Sequence, residues 1–580
     1  MTYKNKSYEE LIKCIEAAES YKKKCFDGRA ERNRKWYAGN YGMVDRNNRL
    51  NPDIYPYSVN FAYVIARTIA SSIYGNTPQY SFMLKSDTKG LIRENLEHFL
   101  ELATKQYLEE LNQDRTNRLS LTDAVLTGFG CTKLGYNIEL DEETAYKVNE
   151  SDVEEGALVD EIDTDNLVKK NEPYLLRVDP LNIIIDPNAA SLDRSKWVCQ
   201  IAYKCKEEVE EEYNLKPGTL KSGVYTYKTS NFEDDKGDKV KLYEFHDLNP
   251  ENPMIYIICD GYNKIIEKKQ HPLWDEKNMR VKNMFQFLWF NDSLDGIYPI
   301  SDIDLVESQI NEANDMIKKR VELNKKNSRI IVLQGNWNDE EVDALQNKSD
   351  GGIITATDPN ARVSQLPLME LGMDYYNNIA AIRSEIFEVL GLTDYQVGGQ
   401  TQQRKATEAQ LIEQARKDRV SERINILEDF IFTQVDTFVE LMKEYQITDK
   451  FFSISLGSKQ TIHALSSELL QTIDMDINVV PGSTVFLNRD TEVNRVERLF
   501  QAMAVVPNLF DSAAIATDWL RKLGFRNPEK YLLQQQNVPF PEVGLGGTTP
   551  AMAGFMGTQG IPSQTPMAQG TEANTSGGIM

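Results

Sequence analysis

The sequence predicts an α+β protein in which long amphipathic helices are set into a body of mixed strands and helices. Apolar residues recur at steps of three and four over Ile303–Val321, Leu371–Leu390 and Ile412–Met442, the period of helices with one buried face. Short β-rich runs bounded by turn residues fill residues 174–205 and 240–290, the pattern of strands in a layered domain. The 580 residues, 41% hydrophobic and 26% charged, are those of a folded chain long enough for several domains.

Residues 7–39 read as one or two charged helices with Leu11, Ile12, Ile15 and Ala18 on one face. The basic run Lys22, Lys23, Lys24, Arg29, Arg32, Arg34 and Lys35 looks at first like a nucleic-acid patch. A net charge of −23 repels phosphate, so a solvated face or a contact with an acidic neighbour is the expected use. Asn60–Tyr74 is a helix closed by Gly75, and Tyr80–Leu84 alternates as a strand. Leu91–Gly128 is helical with a soft point at Asn112-Gln113-Asp114, and Gly130–Leu140 returns to strand. From Glu139 to Asp165 twelve acids face one lysine, Lys147, which predicts an exposed, flexible excursion over about 139–170. Strands follow at Tyr174–Val178, Ile183–Ile185, Trp197–Tyr203, Met254–Cys259 and Asn283–Trp289.

Ser301 is placed to cap the first long helix, whose stripe is Ile303, Val306, Ile310, Ala313, Ile317 and Val321. Acids open it (Asp302, Asp304, Glu307) and bases close it (Lys318, Lys319, Arg320, Lys325, Lys326), in the order that the helix dipole favours. Strands at Arg329–Leu333 and Gly352–Thr355 flank a small helix near Asp339–Leu345. A second long helix carries Leu371, Tyr375, Ile379, Ile382, Ile386 and Leu390, with Gly391 as its C-cap. Next comes a polar loop with two adjacent glycines, Tyr395, Gln396, Gly398, Gly399, Gln400, Gln402, Gln403, Arg404 and Lys405 among its residues. The longest helix runs through Ile412, Val420, Leu427, Ile431, Val435, Phe438 and Met442. Phe451–Leu456 and Asp476–Val480 are strands that return to the body, and helices follow from Asn488, at Ala513–Leu523 and at Pro528–Gln535. Residues 541–580 hold nine glycines, four prolines and only Glu542 and Glu572 as charges, a composition that predicts disorder.

This order resembles that of tailed-bacteriophage portal proteins. Arg177-Val178-Asp179-Pro180-Leu181-Asn182-Ile183-Ile184-Ile185-Asp186-Pro187-Asn188-Ala189 is similar to the Asp-Pro signature of portal wing domains. Trp36-Tyr37-Ala38-Gly39 stands where such chains close their first helix. Tyr298-Pro299-Ile300-Ser301-Asp302 stands at the stem entry, with the glycine two residues early at Gly296. The resemblance covers most of residues 20–535. It implies a wing over 1–298, a first stem helix over 299–328, a clip over 329–368 and a second stem helix over 369–392. It further implies a tunnel loop over 393–405, a long kinked helix over 406–445, wing strands over 446–490, an all-helical crown over 491–540 and a disordered tail over 541–580.

The resemblance implies a homo-oligomeric ring of about twelve subunits at one capsid vertex, assembled in the host cytoplasm and carried in the virion. Double-stranded DNA would pass through it without sequence preference, facing the loop from Tyr395 to Lys405. Ile303, Val306, Ile310, Ile317, Ile379, Ile382 and Ile386 would serve ring packing. The clip, too small for a core of its own, would borrow surface from its neighbour. Its Arg329, Lys348 and Arg362 would meet the large terminase, then head-tail adaptor and tail proteins; major capsid and scaffolding proteins are the remaining partners.

Motifs for chemistry are sparse. The sequence has no Gly-x-x-x-x-Gly-Lys-Ser/Thr loop, Gly-x-Ser-x-Gly elbow or His-Glu-x-x-His helix. His98, His246, His271 and His463 lie far apart, and Cys14, Cys25, Cys131, Cys199, Cys205 and Cys259 form no CxxC pair, so reduced thiols are expected. The expectation is no catalytic residue, no cofactor, no metal and no membrane span, and no signal peptide at the start. Two alternatives stay open: a non-ring helical virion scaffold or adaptor, and a metal-dependent enzyme using Asp302/Asp304 or Asp474/Asp476.

Overall fold

A computed structural model describes residues 6–41, 58–84, 91–140, 168–221, 239–327, 331–347, 356–365, 373–392, 406–446, 450–456, 459–465, 475–479 and 498. The chain forms two compact units, Met1–Arg495 and Val496–Met580. Apart from Arg498, everything described belongs to the first. Its architecture is α+β: helices among several small antiparallel sheets.

A capping box opens α1 (Tyr8–Lys22): Ser7 Oγ accepts from the Glu10 amide while Glu10 accepts from the Ser7 amide. Leu11, Ile15 and Ala18 are buried at helical spacing and cover one face of a five-stranded sheet. They pack on Ile184, Trp197, Cys199, Ile201, Tyr243, Phe245, Tyr256 and Ile258. A single π-helical turn, Lys23–Asp27, then leads into α2 (Gly28–Tyr37). Phe26 in that turn and Ala30 beyond it enter a second cluster, with Phe129, Val178, Ile183, Ile185, Phe285 and Tyr298. One nearly continuous helix thus serves two cores.

The five-stranded sheet is Ile183–Ile185, Trp197–Cys205, Lys239–Asp247, Met254–Cys259 and Ile265–Gln270, hydrogen-bonded in that order. Its third strand and its last were not among the expected ones. A three-stranded sheet pairs Phe285–Trp289 with Phe129–Leu140, and that strand with Val168–Val178. This corrects the acidic excursion at both ends, because Glu139–Leu140 and Val168–Lys170 are ladder residues of one hairpin. Residues 141–167 lie outside the described residues. The strand Met475–Val479 pairs antiparallel with Tyr80–Leu84, so the late chain does return to the body.

The helices expected as the stem depart from expectation in two ways. The first is two pieces, Asp302–Leu305 and Glu307–Asn327, with Val306 at the break. The stripe runs on through the break, so periodicity alone does not reveal it. Second, Ile303, Val306, Ile310 and Ala313 join the main core of their own chain, together with Ile386, Phe387, Leu390 and Leu392; Ile317 is buried too. Five of the seven residues expected to pack between subunits, Ile303, Val306, Ile310, Ile317 and Ile386, are therefore already covered within one chain. Each fully buried side chain of this kind contributes about 1.5–3 kcal/mol, a gain that needs no neighbour. Ile379 and Ile382 are only half-buried. The helix expected as the long kinked one, Ala406–Tyr445, is continuous over 40 residues, about 60 Å at 1.5 Å per residue, and contains neither proline nor glycine.

In the segment expected as the clip, Ile331–Gln334 pairs antiparallel with Arg362–Gln365 around a helix at Asp339–Asn347. The partner strand is thus ten residues beyond the expected Gly352–Thr355, which lies outside the described residues. So do the tunnel loop, the tail and, Arg498 apart, the crown.

Candidate functional site: the stem root and its charges

The stem begins at a residue that cannot move freely. Ser301 Oγ accepts from the Asp304 amide at 3.0 Å, and Asp304 Oδ2 accepts from the Ser301 amide at 3.4 Å, a second capping box. Ser301 and Asp302 are fully buried. Beside them Gly128 has φ +108°, and a Cβ there would sit 2.5 Å from the Pro299 carbonyl oxygen. Only glycine tolerates both the backbone and the approach.

Three positively charged side chains converge on the first turn. Arg29 Nη1 donates to Asp304 Oδ2 at 3.2 Å, and Arg32 Nη2 to Asp304 Oδ1 at 2.6 Å. The other end of Arg32 reaches Glu307 Oε1 at 2.5 Å. From the opposite side Arg423, on the long helix, grips Asp302 in two places at 2.7 and 3.1 Å. Its guanidinium lies 5.3 Å above the Phe290 ring, and Asn291 Nδ2 donates to the same carboxylate at 3.2 Å. Asn33 Nδ2 ties the cluster to Ser301 Oγ and the Leu126 carbonyl, each at 2.9 Å. Two-point guanidinium–carboxylate pairs are the strongest and most directional of charged contacts.

A second arginine group lies next door, on the Asp-Pro segment. Arg34 donates to both oxygens of Asp179 at 2.7 and 2.9 Å, and Arg177 to both of Asp123 at 2.5 and 2.8 Å. Burial works against the Asp179 charge, but Arg34 outweighs it and holds that carboxyl below the usual carboxylate range. The basic run near the N-terminus is thus used largely on acids of its own chain. Lys22, buried, donates to the Pro180 and Leu181 carbonyls at 2.9 and 2.6 Å.

Between the two sheets lies a different polar island. Lys133 pairs with Glu244 at 2.6 Å, and His246 Nε2 meets Glu244 at 2.9 Å. The His246 and His271 rings stand edge to face at 5.6 Å. His246 Nδ1 and His271 Nε2 are buried with no hydrogen-bond partner. Burial lowers both imidazoles, His271 to about 3. Burial opposes the Glu244 charge, yet Lys133 and His246 hold it well below the carboxylate range.

Of the expected site residues, Arg362 is exposed on a clip strand opposite Gln334. Arg329, Lys348 and Tyr395–Lys405 lie outside the described residues. Asp302 and Asp304, adjacent on one helical turn, take arginines from opposite sides. Among the described residues no three of His, Cys, Asp and Glu converge as metal ligands, and no helix is long and apolar enough to cross a membrane. A hollow of about 300 Å³ lined by Tyr80, Lys105, Gln113 and Asp114 is at the lower end of ligand-pocket size. Sequence reasoning missed Arg423 altogether; its partner is 121 residues away. The available signal was a lone arginine at a half-buried position between Val420 and Leu427. No family model matches the chain, and no curated protein matches it.

Proposed function

We propose that this chain is a portal-type protein, a ring subunit that forms the passive channel for DNA packaging and ejection at a capsid vertex. One observation carries the reading. Two helices, Glu307–Asn327 and Met373–Leu390, pack side by side, with the Tyr375 hydroxyl donating to the Met316 carbonyl. They leave a root fixed by charges and bear a small α/β unit between them. On the second of them Tyr375, Ile379 and Ile382, which share one face, are only half-covered, a surface that a neighbouring copy would cover.

On this reading the large terminase, adaptor, tail, capsid and scaffolding proteins are partners. The chain itself turns nothing over, because phosphoryl transfer needs a phosphate cradle and magnesium ligands. The net charge of −23 suits a wall past which phosphates slide. Electron microscopy of the purified protein tests the reading: closed rings with a central hole are expected, and particles that stay monomeric across several salt concentrations would overturn it. The burial of Ile303, Val306 and Ile310 in their own core favours the second reading, a non-ring helical adaptor, which the same images would reveal.

A further inference from the structure

We infer that Arg423 is a positioning residue that couples the long helix to the stem, so that the two move as one lever. The inference does not rest on the ring reading. Among the described side chains of the helix Ala406–Tyr445, which begin at Val420, Leu427, Phe430, Ile431, Val435, Phe438 and Met442 lie in the main core. Between Val420 and Ile426 every side chain is half-buried or exposed. Arg423 therefore sits one turn before the buried stretch that starts at Leu427.

At that point it makes a two-point ion pair. Asp302 is fully buried, and Arg423 binds both of its oxygens. Asp302 is the first residue of the stem. Two residues on, Asp304 is held from the other side by Arg29 and Arg32, and at Val306 the stem helix breaks. The stem root is thus clamped by α2 on one flank and by the long helix on the other. Further along the same helix, Lys282 pairs with Asp436 at 2.6 Å and also with Glu440. Gln434 Nε2 donates to Asn117 and Thr132, each at 2.9 Å. Those ties fix the buried half to the body. Arg423 alone of these groups reaches the stem.

A displacement of the helix's first half pulls on Asp302 through two hydrogen bonds. Asp302 cannot follow water, since it is sealed, so the load passes to the turn it begins. The break at Val306 is where that load bends the stem. With Arg423 removed, the first half of the helix and the stem root lose their common reference and open independently.

Hydrogen exchange on the full-length protein tests this in whatever oligomeric state it adopts. In Arg423→Gln, amides in 406–426 and in 302–310 are expected to exchange at least about tenfold faster together, while 430–442 keeps its protection. Asp302→Asn should give the same pair of regions, to a smaller degree, and the reciprocal swap Arg423→Asp with Asp302→Arg should restore both. Faster exchange confined to 406–426, with 302–310 unchanged, overturns the coupling; so does equal loss across 430–442, which makes Arg423 merely structural. If Arg423→Gln does not fold, Arg423→Lys serves instead, because a single-point ammonium loosens the grip without removing the charge. Rings without coupled exchange refute the lever alone, and coupled exchange without rings refutes the portal reading alone.

Discussion

The stem root and the island between the sheets both gather ionisable groups and use them oppositely. At the root, Asp302, Asp304 and Glu307 each face a guanidinium, and Arg423 binds Asp302 at two points. Between the sheets, two imidazoles are held neutral with one ring nitrogen each left unpaired. A paired centre fixes geometry across conditions. An unpaired one stores a cost that acid can release. The difference teaches which part of this molecule is built to stay and which is built to respond.

The sharpest way to break the comparison is at the root. Asp302→Ala removes a fully buried carboxylate and leaves the half-buried Arg423 without its two acceptor oxygens, at a cost of about 3 kcal/mol. Calorimetry should show the main transition fall by several degrees at pH 7, and a change within error would mean that water reaches the pair.

The island should answer to pH instead. A histidine with a depressed folded value is neutral in the fold and charges on unfolding. Its contribution is present above about 6.5, the unfolded value, and is lost as pH falls toward the folded value, about 3 for His271. Glu244, also depressed, adds to the loss at the acid end. Each such proton steepens the fall by about 1.4 kcal/mol per pH unit. Urea titrations of wild type and His271→Leu between pH 7 and 4 should show a shallower slope in the variant. Parallel slopes would remove the island from the acid response.

Between these lies Lys133→Met, which strips Glu244 of its largest stabilising partner. We expect a loss of about 2 kcal/mol at pH 7, with less penalty at pH 4, where the carboxyl takes up a proton. An equal loss at both values would show packing, not charge, to be the cause. The smallest effect lies outside both centres. Deleting residues 541–580 should leave stability within about 0.5 kcal/mol, checked by the same urea midpoint.

Much of the frame was legible. The stripes gave both stem helices, the capping residue Ser301 and the alternation of Tyr80–Leu84, because these are local and follow from helical and strand periods. What was hidden is long-range. The strand Lys239–Asp247 escaped because His246 and Asp247 are polar yet buried and Glu244 is met by Lys133 on another sheet, which spoils the alternation. Arg362–Gln365 has one apolar residue, Val363, and is a strand only because Ile331–Gln334 lies beside it. The arginine clusters were visible as charge but not as pairs, since Arg29 and Asp304 are 275 residues apart and nothing local joins them.

The π-helical turn at Lys23–Asp27 has a consequence for how this chain compares with others. It holds one residue more than an α-helical path would need, so the segments before and after it keep different phases. Removing that residue would turn everything beyond it by about 100° and draw it back about 1.5 Å. Arg29, Arg32 and Arg34 would then point away from Asp304, Glu307 and Asp179. A relative whose first helix is one residue shorter here must either have lost the whole arginine set or be aligned with a gap between Lys22 and Gly28. Residue counting through this helix, without that gap, would pair each arginine with the wrong position.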